Sequence, residues 1–178
     1  MFNLISNKPI TVAVSSCLLG ERVRYDGEEK FSMDIEQLRK MDIELVSICP
    51  EVGIGLGVPR PPVQVVSVVD QLKVLGVNNP EQDITVALID YARKILHQYP
   101  DVCGYIFKSR SPSCGVSDTP VFSLQGKELV KSSGLFAKTI IEHTKFPVVD
   151  ENCLSAPECR ARFLQAVNRY YKNKELNT

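Results

Sequence analysis

At 178 residues the chain is long enough for one well-packed domain and short for two, and its 21 basic and 21 acidic residues cancel. A neutral chain lacks the electrostatic footprint that binding to a nucleic-acid backbone needs, so a small-molecule partner is expected. No apolar span approaches membrane length, and the start, MFNLISNKPITVAVSS, is interrupted at Asn7, Lys8 and Pro9 before any signal-like apolar stretch forms. The expectation is a cytoplasmic protein in which six cysteines serve as reactive or metal-binding thiols rather than disulfides.

The first β-branched run, ITVAVS at residues 10–15, predicts a buried strand that ends in the loop holding Cys17 and Gly20. A polar RYDGEEK stretch follows, with turn chemistry at Asp26 and Gly27, and Asp34 is placed to cap a short helix to about Met41. A second strand at residues 43–48 leads into Cys49, and the Gly- and Pro-rich stretch after it, from Gly53 to Pro62, reads as a loop of fixed turns. Residues 63–69 and 72–77 form a hairpin turning at Asp70 and Gln71. Asp83 or Thr85 caps a long helix with apolar residues Val86, Ile89, Ala92, Ile95 and Leu96 at helical spacing.

A third strand at residues 103–108 enters the loop of Cys114, and VFSLQGKELV reads as a second hairpin turning at Gln125 and Gly126. A helix from about Gly134 through Ile141, a strand at 146–149 and an amphipathic helix at about 157–170 complete the pattern. Strands alternating with helices predict an α/β fold: a single domain over residues 1–178 with a mostly parallel, helix-flanked, Rossmann-like sheet and inserted hairpins. Its core spans about 10–151, with a helix and tail at 152–178, and nothing in the pattern selects an oligomeric state.

Cys17, Cys49 and Cys114 each sit just past the end of a predicted strand, in SSCLLG, SICPEVGIGLGVPR and KSRSPSCG. If those strands are parallel neighbours, the thiols converge in the crevice at the carboxyl edge of the sheet, where open α/β sheets hold their ligands. Cys103 falls inside a strand and reads as a small core residue, and the spacing of Cys153 and Cys159 suits packing better than any zinc or cluster motif. A structural zinc normally takes four ligands, often closely paired, whereas His97 and His143 fall in helices away from the cysteine loops. An iron-sulfur cluster accepts ligands from distant loops, and three thiolates on four irons leave one iron open as a Lewis acid.

Taken together, CLLG, RYDG, CPE with GL and PR downstream, DIT before the long helix, and KSRSPSCG resemble the thiouracil desulfidase family, long filed as a domain of unknown function. The likeness spans residues 10–151. It implies a 4Fe-4S cluster held by Cys17, Cys49 and Cys114 with one open iron, and removal of sulfur from a thiolated pyrimidine as sulfide without net redox change. Two positions depart from many relatives: Val23 replaces a cysteine before RYDG, and Gln64 replaces a carboxylate after the PRPP-like segment.

Under this reading the open iron takes the sulfur of C=S, and Glu51, two residues past a ligand, serves as general base and proton shuttle. Ser111 and Ser113 hold the ring or the developing anion, while Lys108 and Arg110 offset the cluster's charge. Arg24, Asp26 and Arg60 either line the site or form a solvated salt bridge. Two alternatives stand beside it. One is a transferase or hydrolase with Cys17 as nucleophile, although Val23 stands where the arginine of a phosphatase-like C-x-x-x-x-x-R would fall. The other is a non-catalytic iron-sulfur redox sensor or sulfur carrier.

Overall fold

The structure, a computed structural model, describes residues 9–176; the reading of the segment before residue 9 lies outside them. Among the described residues eight strands form two four-stranded sheets. The first is wholly parallel, in the order β2-β1-β5-β8, from β1 (Ile10–Ser15), β2 (Ile43–Ile48), β5 (Val102–Phe107) and β8 (Val148–Asp150). Every residue of β5 and most of β1 are buried, as expected of central parallel strands covered on both faces. The edge strand β2 instead buries Ile43, Leu45 and Ile48 and exposes Glu44.

One face of this sheet packs on α3 (Thr85–Gln98) and α4 (Leu135–His143), where Ala13, Tyr105 and Phe107 meet Ala92, Ile95, Phe136 and Ile140. The other face packs on α1 (Met33–Glu36), α5 (Glu151–Ser155) and α6 (Pro157–Glu175), where Val12, Val14 and Ile106 meet Ile35, Leu154, Phe163 and Val167. A register shift between β1 and β5 turns Gly104 toward α6, where a Cβ would stand 2.8 Å from Val167. Cys103 lies in this same core, as read from the sequence.

The two hairpins, β3 (Val63–Val68) with β4 (Gln71–Gly76) and β6 (Thr119–Phe122) with β7 (Glu128–Ser132), do more than decorate the parallel sheet. They join through a parallel β3–β6 pairing into a second sheet, order β4-β3-β6-β7. Its Val65, Val74 and Val121 pack on Ile84, Leu88 and Leu135, so α3 and α4 lie between the sheets. The first hairpin turns one residue earlier than expected, at Val69 and Asp70, both with positive φ, the backbone that a two-residue turn demands.

Several local readings need correction. Asp34 lies within the first turn of α1 rather than at its cap, and its carboxylate instead accepts from Ser155 Oγ at 2.9 Å. A 3₁₀ turn, Gln37–Met41, completes that segment. Asp83 accepts from the Thr85 N–H at 3.0 Å, while the Thr85 hydroxyl accepts from Val74 N and ties α3 to β4. A single helical turn, α2 (Pro50–Gly53), precedes the Gly- and Pro-rich loop, with proline at its start where no N–H is required. Cys153 and Cys159 are joined as a disulfide, contrary to the expectation of packing thiols, because the bend between α5 and α6 brings their Cα atoms within 5.2 Å. Among the described residues no helix is long and apolar enough to cross a membrane.

Candidate active site

The register of the parallel sheet sets the three cysteine loops side by side. Ser15 pairs with Ile48, and Val14 with Ile106, so β2, β1 and β5 end level with one another. The chain leaves β1 for β2 on one side and later returns to β5 on the other, which opens the crevice expected at a topological switch point. A cavity of about 590 Å³ occupies it, and Cys17, Cys49 and Cys114 all line its wall.

Each cysteine is held by its own local device. Cys17 lies in a 3₁₀ turn, Ser16–Leu19, closed by Gly20 in a left-handed conformation, and its carbonyl accepts the Lys30 N–H at 2.8 Å. Cys49 stands directly before α2, with its sulfur 3.9 Å from the Val23 carbonyl. Cys114 is presented by a tight loop in which Ser111 Oγ accepts from the N–H groups of Ser113 at 3.3 Å and Cys114 at 3.0 Å. The start of α4 grips this loop, since Leu135 N and Ala137 N donate to the carbonyls of Pro112 and Ser113. A Cβ at Gly134 would stand 2.6 Å from the Ser113 backbone, so only glycine permits that approach.

As free thiols the three are shielded from water and disfavour charge. Burial, reinforced by Cys49, pushes Cys17 up to about 11. Burial likewise raises Cys49 and raises Cys114 well above the ordinary thiol value. Nucleophilic cysteines show the opposite tendency, with lowered values in electropositive surroundings. Among the described residues no group of three or more His, Cys, Asp or Glu side chains is gathered as one metal ion requires. Three soft thiols spread around one cavity instead suit a multi-iron cluster, whose own atoms stand between its ligands.

Glu51 joins the three loops. Its Oε2 accepts from Arg60 Nε at 2.7 Å, its Oε1 accepts from Ser113 Oγ at 2.8 Å, and it lines the cavity. Arg60 also donates to the carbonyls of Val23 at 2.9 Å and Gly57 at 3.1 Å. One carboxylate–guanidinium pair thus ties the chain beside Cys49 to the neighbour of Cys114 and to the segment packed against Cys49. The pair is largely buried, with side-chain exposures of 6% for Arg60 and 12% for Glu51, so Arg60 is no solvated loop bridge. Arg24 and Asp26 do pair with each other, and of the two only Arg24 lines the cavity.

Ser111 lines the cavity while serving the Cys114 loop, and its own hydroxyl proton remains free to donate. Ser113 does not: it is fully buried and spends its hydroxyl on Glu51, so its effect on a bound ring is indirect. Lys108 also lines the cavity, but its ammonium donates to Glu151 and to the carbonyl and hydroxyl of Ser109, which uses all three of its protons within the protein. Arg110 lines the cavity with a left-handed backbone, and its backbone N–H donates to Asp118 Oδ1 at 2.8 Å. Sequence reasoning missed Glu151, which accepts from Ser109 N at 2.6 Å and Ser109 Oγ at 2.8 Å. Burial raises its pKa, but the Lys108 and Ser109 hydrogen bonds outweigh that and hold it below the ordinary glutamate value.

Comparison with known proteins bears on the same residues. The family model for 2-thiouracil desulfurase matches residues 12–152, which include all three cysteine loops. The chain belongs to the 2-thiouracil desulfurase family. A protein of Bacillus subtilis (strain 168), the uncharacterized protein YbbK, is 29% identical over 152 residues, covering 81% of this chain and 97% of YbbK. A solved structure of TudS (DUF523Vcz), described as a 4Fe-4S-dependent thiouracil desulfidase, superposes with a TM-score of 0.66 at 26% identity. The match covers 87% of this chain and 98% of TudS. The fold of this chain is therefore shared with a thiouracil desulfidase.

Proposed function

We propose that this member of the family is an iron-sulfur-dependent thiouracil desulfidase that converts the C=S of a thiolated pyrimidine to C=O with release of sulfide. The observation that carries the reading is the convergence of Cys17, Cys49 and Cys114 on one cavity that Glu51 also lines. The donor set, with Cys17 and Cys114 buried and Cys49 half-buried, fits a 4Fe-4S cluster, and the likeness to TudS supports the same cofactor. When bound through three cysteines, such a cluster supplies one open iron as a Lewis acid for the thiocarbonyl sulfur.

The protein's own groups account for the remaining work. The reaction adds the oxygen of water to the thiocarbonyl carbon, breaks the C–S bond and leaves both protons of water to be shared with the departing sulfide. No electron is gained or lost overall. Glu51, paired with Arg60 and still holding free lone pairs, takes a proton from the water and returns it to the sulfide. Ser111 donates its hydroxyl proton to the ring or to charge developing on it, and Arg110 offsets negative charge at the mouth. Lys108 contributes only as the fixed cation of its bridge to Glu151. The alternative of Cys17 as a simple nucleophile lacks its charge partner, since Val23 stands where a phosphatase-like arginine would fall.

The test is an assay of anaerobically reconstituted protein against 2-thiouracil, 4-thiouracil and 4-thiouridine, measuring sulfide and the oxo product together. Equal amounts of sulfide and oxo product, with no added reductant, are expected from at least one of them. Iron-replete protein that releases no sulfide from any of the three overturns the desulfidase reading and leaves a sensor or sulfur carrier.

A further inference from the structure

Among the described residues that line the cavity, only Tyr25 carries an aromatic ring. Tyr25 is 44% exposed, a large fraction for an aromatic residue at a cavity wall. It is not loose. The Arg24 guanidinium lies 5.5 Å from its centroid, and that guanidinium is gripped by both oxygens of Asp26, at 3.2 and 3.0 Å. The backbone is equally fixed, because Gly27 N donates to Arg24 O, Glu28 N to the Asp26 carboxylate, and Arg60 N to Tyr25 O at 2.9 Å. Gly27 takes the positive φ that closes this turn. The segment therefore presents one ring toward the cavity, with a cation held against it.

We propose that Tyr25, backed by Arg24, is the platform on which the pyrimidine ring of the substrate stacks, an inference that rests on the desulfidase reading. A planar, electron-poor heterocycle gains from a face-on aromatic partner, and a neighbouring cation limits the ring's freedom to turn away. Arg60 links this platform to the chemistry, since its backbone holds Tyr25 while its side chain holds Glu51. Stacking fixes the plane of the ring and leaves the direction of the C=S bond to the polar groups. The platform thus selects for flat rings over aliphatic thiocarbonyl compounds.

The test uses the reconstituted protein and Tyr25→Phe, Tyr25→Leu and Tyr25→Ala, with iron content matched. Two quantities are read: steady-state kinetics with 2-thiouracil and calorimetric binding of uracil, the unreactive product. Loss of the ring should raise KM and weaken uracil binding roughly ten-fold or more, as base–aromatic stacking does elsewhere, with kcat little changed. Tyr25→Phe should behave as wild type, and Tyr25→Leu, which keeps apolar bulk without a π face, should resemble Tyr25→Ala. If wild type turns over and Tyr25→Leu binds uracil and 2-thiouracil as wild type does, stacking is overturned while the desulfidase reading stands. If iron-replete wild type neither binds uracil nor releases sulfide, both fall together.

Discussion

Glu51 and Glu151 each pair with a cation that lines the same cavity, yet their surroundings suit them to different work. Glu51 accepts one hydrogen bond at each oxygen, from Ser113 and Arg60, and its side chain faces the cavity. Each oxygen keeps a lone pair for a proton or a water. Glu151 takes Lys108, Ser109 Oγ and Ser109 N, and Lys108 in turn spends every proton on that network. The first pair is open toward the substrate space and the second is closed on itself. Proximity of a charge to a site is thus a poor guide to its role; the count of unspent donors and acceptors is a better one.

The comparison breaks most readily at Glu51. Glu51→Gln keeps the shape but cannot take up a proton, and turnover per cluster should fall by roughly 10²- to 10⁴-fold with iron retained. Turnover near that of wild type in iron-replete protein would pass the proton-handling role elsewhere. Next comes Arg60→Gln, which removes the charge beside Glu51 and loosens the Val23 and Gly57 carbonyls together. Outer-shell changes of this kind typically cost about 10- to 100-fold in metal affinity or activity, so both turnover and the rate of iron loss to a chelator should change. Arg60→Lys should not rescue it, because one ammonium does not reproduce a guanidinium fork that reaches three acceptors.

The smallest effect is expected at the closed pair. Glu151→Gln should leave kcat almost unchanged and lower stability by about 1–3 kcal/mol, the cost of leaving partly buried partners unsatisfied. The sign of its pH dependence follows from the depressed folded value. The carboxylate's contribution is whole above the unfolded value of about 4.5 and is lost as pH falls through the lower folded value. Urea midpoints of wild type and Glu151→Gln should therefore converge as the solution is acidified from neutrality, and a constant gap would contradict the ion-pair account.

Much of the parallel sheet was legible in the sequence because its strands are β-branched runs with little competing periodicity. The spans of β1 and β2 match their expected limits, and β5 begins one residue earlier. The joining of two hairpins through β3 and β6 was not legible, since Val65–Val121 pairing is a contact between distant segments with no local signature. Glu151 escaped for the same reason: its partner Lys108 lies 43 positions away, and only the docking of α5 beside β8 brings them together. The cysteine loops were conspicuous because glycine, proline and thiol recur just after strand ends. What sequence could not supply was the side-chain allotment within them: Ser113 was read as holding the ring and Lys108 as offsetting cluster charge, whereas their hydrogen bonds run to Glu51 and to Ser109 and Glu151. The Cys153–Cys159 pairing was set aside on grounds of compartment, whereas the bend between α5 and α6 decides it.

The central claim, that three strand-end thiols form one cluster site, is tested most directly by iron and acid-labile sulfide per chain after anaerobic reconstitution. Wild type should hold about four of each, the content of a 4Fe-4S cluster. Replacing Cys17, Cys49 or Cys114 by alanine should each remove most of it, while Cys103→Ala, a change within the core, should leave it intact. Full iron in any one of the three variants, or its loss in Cys103→Ala alone, would contradict the account.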